Sequence, residues 1–217
     1  MLLLSELFGL CLDTPYLHVE NGASLAARSR GDVLCILFQK SEGTQDWYNN
    51  LDFPAVPYRD METEWRCHRG FLRVWKSAAP YIEEILAATA YSKITVAGYS
   101  HGGALAVLCH EFIWFRYPHL RPHLRGVGFG APRVIHCGSE CRSAAHRWAQ
   151  FTVVRCGRDV VTHLPPVLLG YRHMGRMLTV GDMRLSPTEA HMPHSYTEAL
   201  LACESKNTGS FREVSPY

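Results

Sequence analysis

One stretch constrains this chain more than any other. The β-rich run Lys93-Ile94-Thr95-Val96-Ala97-Gly98 reads as a strand, opens Gly98-x-Ser100-x-Gly102 and passes straight into an apolar segment that reaches about Arg116. A strand that turns so tightly into a helix fixes a βα unit, and such units assemble around a mostly parallel sheet. The glycines have a steric reason. The turn forces Ser100 into a strained backbone conformation, and side chains two positions to either side would collide with the neighbouring strand and helix. Ser100 is thereby exposed at the carboxyl edge of the sheet, with a helix N-terminus aimed at any negative charge that develops there. The pentapeptide alone is a weak signal that a bystander serine could satisfy; the strand before it and the helix after it make it a nucleophile elbow.

The rest of the chain reads as the same kind of unit. Val33 to Phe38 is a continuous apolar run, as expected of a strand buried on both faces. Phe71 to Val74, Gly126 to Gly130, Phe151 to Arg155 and Arg176 to Val180 read as further strands. Ser77 to Tyr91 reads as a helix with Ile82, Ile85 and Leu86 on one face, and Ser195 to Glu204 as a closing helix. The start of the chain, Met1 to Asp13, carries Glu6 inside its apolar residues and lacks both a basic region and a small-x-small cleavage site, so it reads as an amphipathic helix rather than a secretory signal. No repeat or linker divides the 217 residues, which form a single α/β domain, 1–217, with a loose polar tail over 205–217. The balance of 47% hydrophobic and 19% charged residues excludes disorder. A net charge of +2 without a basic run gives no electrostatic support to nucleic-acid or anionic-membrane binding, and no apolar run is long enough to span a bilayer. Eight irregularly spaced cysteines favour reduced thiols and a cytoplasmic location, with secretion the alternative if a native leader is missing from the sequence.

A serine nucleophile needs a base, and the base an acid that orients it. Behind an elbow these follow in the order Ser, Asp/Glu, His. Among Glu140, Asp159, Asp182 and Glu189, Asp159 closely follows the strand Phe151 to Arg155, where a strand end would set it beside Ser100; Asp182 also follows a strand but lies further out. Six histidines lie beyond the elbow helix: His136, His146, His163, His173, His191 and His194. His194 opens the last helix, and His191, three residues earlier, competes with it. A zinc site at His136, Cys137, Cys141 and His146 fits no common ligand spacing.

Five segments in order make the chain resemble the class 3, fungal-type lipase family of the α/β-hydrolases. Ala97 to Ala106 is similar to the family's Gly-His-Ser-Leu-Gly-Gly-Ala elbow, and Gly128 to Val134 to its Phe-Gly-x-Pro-Arg-Val strand. Asp159-Val-Val-Thr-His-Leu-Pro-Pro166 resembles the Asp-x-Val-x-x-x-Pro-Pro loop that carries the catalytic acid, Tyr171 to Gly175 the Tyr-x-His-x-Gly segment, and His194-Ser195-Tyr196 the ending that carries the catalytic histidine. The resemblance therefore implies an α/β-hydrolase fold with a triad of Ser100, Asp159 and His194, and leaves His173 structural. It implies an oxyanion hole from Ser41 and the His101 amide, although Lys40 stands where the family has glycine. Asp46 to Phe53 resembles the family's lid helix, with Trp47, Tyr48, Leu51 and Phe53 apolar; the same face would also suit an ordinary core helix. His68-Arg69-Gly70-Phe71 matches the His-x-Gly-Phe that re-enters the sheet.

The implied function is a serine esterase or lipase that hydrolyses acylglycerol-type carboxylic esters through an acyl-enzyme. It needs no cofactor and no metal, and its partners are an ester or lipid substrate and, through the lid, a transient lipid-surface contact. A phospholipase A1 or feruloyl-type esterase would share the fold and triad, and a non-catalytic lipid-binding relative would have no use for the strained elbow.

Overall fold

The computed structural model describes residues 2–39, 52–58, 65–88, 90–137, 145–205 and 212–214. Its main sheet has eight strands in the order β1-β2-β3-β6-β7-β9-β11-β12. These are β1 (Leu17–His18), β2 (Ser24–Arg30), β3 (Val33–Phe38), β6 (Lys93–Tyr99), β7 (Leu124–Phe129), β9 (Phe151–Cys156), β11 (Arg176–Val180) and β12 (Arg212–Val214). The strands from β3 to β11 run parallel, and antiparallel strands close both edges. A smaller antiparallel sheet, β10-β8-β5-β4, joins β10 (Tyr171–Arg172), β8 (Ile135–His136), β5 (Arg66–His68) and β4 (Ala55–Pro57). This is the α/β-hydrolase architecture expected from the elbow.

Alternation along β3 shows how the two faces of the sheet are filled. Leu34, Ile36 and Phe38 join the core under helices α2 (Arg69–Ala88) and α3 (His101–Arg116). Cys35 and Leu37 face the opposite core, with Leu7, Phe8 and Cys11 of α1 (Leu4–Asp13) and Tyr196 and Leu200 of α4 (Pro193–Ser205). Helix α3 is buried almost all round, from His101 to Ile113, which accounts for the apolar run from Ala104 to Cys109.

Four expectations change. Phe71 to Val74 is not a strand, because α2 begins at Arg69. Phe71, Val74, Trp75, Ala78, Ile82 and Leu86 are buried at spacings of three and four, so the short apolar run is the first turn of a longer helical stripe. His68 accordingly ends β5, and Gly70 and Phe71 lead away from the small sheet rather than into it. The tail is not loose throughout: Arg212–Val214 pairs with Thr179 to Met177 and closes the edge of the main sheet. Finally, Cys137 is disulfide-bonded, whereas the other six described cysteines are free. No helix among the described residues is long and apolar enough to cross a membrane.

Candidate active site

Ser100 lies between β6 and α3 with φ 57° and ψ −121°, a positive φ that serine adopts only when its surroundings impose it. The surroundings are backbone. A Cβ on Gly98 would overlap the Gly102 carbonyl, and one on Gly102 would overlap the Phe38 carbonyl of β3. Both glycines of the elbow are thus required by close backbone approach, as the sequence implies.

Asp159 follows β9 and is fully buried. Its carboxylate is held by three donors: Val161 N–H to Oδ1 at 2.8 Å, Tyr196 O–H to Oδ2 at 2.6 Å, and His191 Nδ1–H to Oδ2 at 2.8 Å. Buried polar groups need partners in place of water, and these three donors supply them. Its loop is pinned in turn. Thr162 Oγ1–H and His163 Nδ1–H both donate to the Asp159 carbonyl, and His173 Nε2–H donates to the Thr162 carbonyl at 2.7 Å. Burial pushes the His173 imidazole down to about 3, so it stays neutral and acts as a strut, the structural place expected of it.

The histidine beside Ser100 is where sequence and structure part. His191 Nε2 lies 2.9 Å from Ser100 Oγ, placed to accept its proton, while Nδ1 meets Asp159. His194 does not reach Ser100. Its Nε2 bonds Glu189 Oε1 at 2.9 Å and its side chain is 56% exposed. The reason is helical phase. His194 and Tyr196 are two residues apart in the first turn of α4, hence about 200° apart around its axis. Tyr196 is fully buried and takes the inward face against Asp159, so His194 must face out. His191 escapes this limit because it sits before the helix, in the 3₁₀ turn Glu189–His191. That signal was in the sequence, since an aromatic residue at the helix start claims the buried face.

Tyr99 orients the His191 ring. The two rings stack with centroids 5.3 Å apart, and the Tyr99 hydroxyl donates to the His191 carbonyl. Burial, and then the Asp159 charge, hold the Tyr99 and Tyr196 phenols above their usual range, so both remain donors. Asp182, the alternative acid, is spent on Arg184 at the surface. His101 occupies the first position of α3, where a backbone N–H has no acceptor within its own helix and points out of the N-terminus.

A Ser-His-Asp line on an elbow of this shape invites comparison with known proteins. The family described as Lipase (class 3) matches residues 35–169, well over half of the chain. The chain belongs to the class 3 lipase family. Its relatives include the lipase of Rhizomucor miehei, 27% identical over 173 residues that cover 71% of this chain and 44% of that protein. The lipase of Rhizopus oryzae is 30% identical over 176 residues, covering 75% and 42% respectively. The solved structure of the Rhizomucor miehei triacylglyceride lipase superposes with a TM-score of 0.65 at 24% identity, over 77% of this chain and 66% of that one. The chain spans less than half the length of the curated relatives it matches.

For this class 3 lipase chain, the other expected site residues divide in two. Ser41, Trp47, Tyr48 and Leu51 lie outside the described residues. Phe53 is described, and it is anchored rather than carried on a free lid face: its ring meets His68 edge-on at 5.7 Å, and its carbonyl accepts the Tyr171 hydroxyl. Arg69 holds the adjacent Asp52 through Nε at 2.8 Å. At the former zinc candidate, Cys137 is taken by its disulfide and is not available as a thiolate. Among the described residues no group of three His, Cys, Asp or Glu could hold a metal.

The Tyr196 hydroxyl gives a test of how Asp159 is held. Tyr196→Phe should cost about 1.5–3 kcal/mol of stability in urea unfolding, since it removes a bond to a buried charge. A Tyr196→Phe variant as stable as the parent would make Tyr196 a packing residue only.

Proposed function

We propose that the chain is a serine carboxylic-ester hydrolase acting on acylglycerols through an acyl-enzyme. The observation that carries this is the continuous line from Ser100 Oγ to His191 Nε2 and from His191 Nδ1 to Asp159 Oδ2. His191 takes the Ser100 proton as Oγ attacks the ester carbonyl, and Asp159 stabilises the imidazolium that forms. The tetrahedral oxyanion lies at the N-terminus of α3, where the His101 amide and the helix dipole favour negative charge. His191 then protonates the departing alcohol, and water repeats the sequence on the acyl-enzyme. Ser41 is proposed as the second oxyanion donor. The register supports it: Phe38 pairs with Gly98, and the Phe38 carbonyl abuts Gly102, so the chain leaving β3 departs beside the elbow.

Acylglycerols are favoured as substrates because relatives from Fusarium solani and Rhizomucor miehei are named as a secreted mono- and diacylglycerol lipase and a triacylglyceride lipase. We also propose that Trp47, Tyr48 and Leu51 form the apolar face of a short lid that contacts lipid. The cytoplasmic expectation loses support from the Cys137 disulfide, and an oxidising compartment is the better reading.

Labelling with a fluorophosphonate probe tests the chemistry. The expected result is a single covalent adduct on Ser100; an unlabelled mass would mark a binding protein instead. Rates on p-nitrophenyl esters of increasing chain length test the substrate class, and Trp47→Ala should weaken long-chain hydrolysis more than short-chain. Equal losses on both would make Trp47 a core residue.

A further inference from the structure

We infer that the rim of the site formed by the acid loop, residues 159–170, docks on a lipid surface that carries anionic phosphate headgroups. The inference rests on the hydrolase reading for its purpose, though not for its test.

The first observation is charge. Elsewhere on the surface, Arg69, Arg116 and Arg184 find Asp52, Glu83 and Asp182. Around the acid loop Arg133, Arg155, Arg158 and Arg172 meet no carboxylate among the described residues. Arg133 donates to the carbonyls of His163 and Pro165, and Arg172 to those of Val167 and Tyr171. Arg155 donates to Thr179 Oγ1 at 3.1 Å, and its buried Nε has no acceptor among the described residues. The one carboxylate on this loop, Asp159, is buried and occupied by three donors. These guanidiniums are close enough to feel one another: burial, and then the charges of Arg172 and Arg155, lower the basicity of Arg133. Cations gathered in this way favour an anion.

The second observation is shape. A cleft of about 390 Å³ opens among Arg155, Arg158 and His163, with Val160 and Met183 on its apolar rim. That volume is within the range of small-molecule sites, and the planar guanidinium fork suits phosphate oxygens.

The third is an exposed apolar tip on the same loop. Leu168 is 98% exposed, with Val167 and Leu169 half exposed on either side. Leu168 cannot collapse inward. Arg172 and Arg133 grip the loop by its carbonyls, so the tip is held away from the core. Apolar side chains projecting beyond a cationic base are arranged as in proteins that lie at a membrane interface, with leucine among the acyl chains and arginine at the headgroups. The loop also carries Asp159, so docking by this rim sets the triad at the lipid surface.

The test is co-sedimentation of the whole chain with vesicles of ether-linked phospholipids, which contain no ester to cleave. Vesicles containing phosphatidylglycerol should bind at least about tenfold more tightly than phosphatidylcholine alone, and added salt should erase the difference. Arg155→Gln with Arg158→Gln should lose about fivefold per charge on the anionic vesicles. Leu168→Ser should lose about tenfold on them. Thermal unfolding of each variant checks that the fold is kept. Equal binding to both vesicle types, or folded variants that bind as the parent does, would overturn the inference. So would displacement by inorganic phosphate beyond that of sodium chloride at equal ionic strength, which would mark a free-phosphate pocket. Self-association abolished by Leu168→Ser, without vesicle binding, would make the tip a contact between copies. Because binding is read without turnover, a chain that cleaves a soluble ester but ignores phosphatidylglycerol fails this inference alone, and an inert chain that still prefers it fails only the hydrolase reading.

Discussion

Ser100→Ala is expected to lose ester hydrolysis by about 10⁶-fold in kcat while remaining folded. The size follows from what Oγ does: without it no acyl-enzyme forms, and only the residual stabilisation by binding and the oxyanion donors remains. The fold should tolerate the change. Alanine takes the same backbone position, and His191 keeps its bond to Asp159 and its stack on Tyr99. Urea unfolding within about 1 kcal/mol of the parent is the expected control. Loss of the fluorophosphonate adduct in the same variant ties the chemistry to this atom. A folded Ser100→Ala protein that retained substantial turnover would sink the mechanism.

The second large effect separates two histidines three residues apart. His191→Ala should reduce kcat by several orders of magnitude, because Ser100 loses its proton acceptor and Asp159 faces an empty space. His194→Ala should stay within about threefold of the parent, since it removes only a surface bond to Glu189. Steady-state rates on one soluble ester decide between them. The reverse outcome would mean that α4 starts in a different phase in solution, with Tyr196 no longer facing Asp159.

The elements closest to Ser100 were legible in the chain because short-range chemistry dictates them. Val33–Phe38 and Arg176–Val180 match their expected bounds, and Lys93–Tyr99 and Phe151–Cys156 each extend by one residue. In these strands the continuous apolar run and the turn residues at its end both point the same way. Where one local pattern fits two structures, reading failed. Phe71-Leu72-Arg73-Val74 is apolar enough for a strand, and only its continuation to Trp75, Ala78 and Ile82 against α3 makes it helical. The short pairings β4, β5, β8 and β10 were invisible because each has two or three residues and is held by partners distant in the chain.

The sequence by itself determined the elbow and the buried parallel strands. Ser100 must follow a strand and precede a helix, its glycines must be glycines, and Asp159 must lie just past a strand end. The tertiary structure settled which histidine lies against Ser100, a choice that the aromatic Tyr196 at the helix start only foreshadows in the chain. That choice depends on the buried side of α4, fixed when Tyr196 reaches Asp159 across a separation of 37 residues. It also decided where charge collects. Arg133, Arg155, Arg158 and Arg172 form no basic run in the chain, and come together because the crossovers from β7 to β9 and from β9 to β11 bring their segments side by side. Local sterics act between neighbours in sequence and can be read there; helical phase and electrostatic fields sum over neighbours in space, and exist only once the chain has folded.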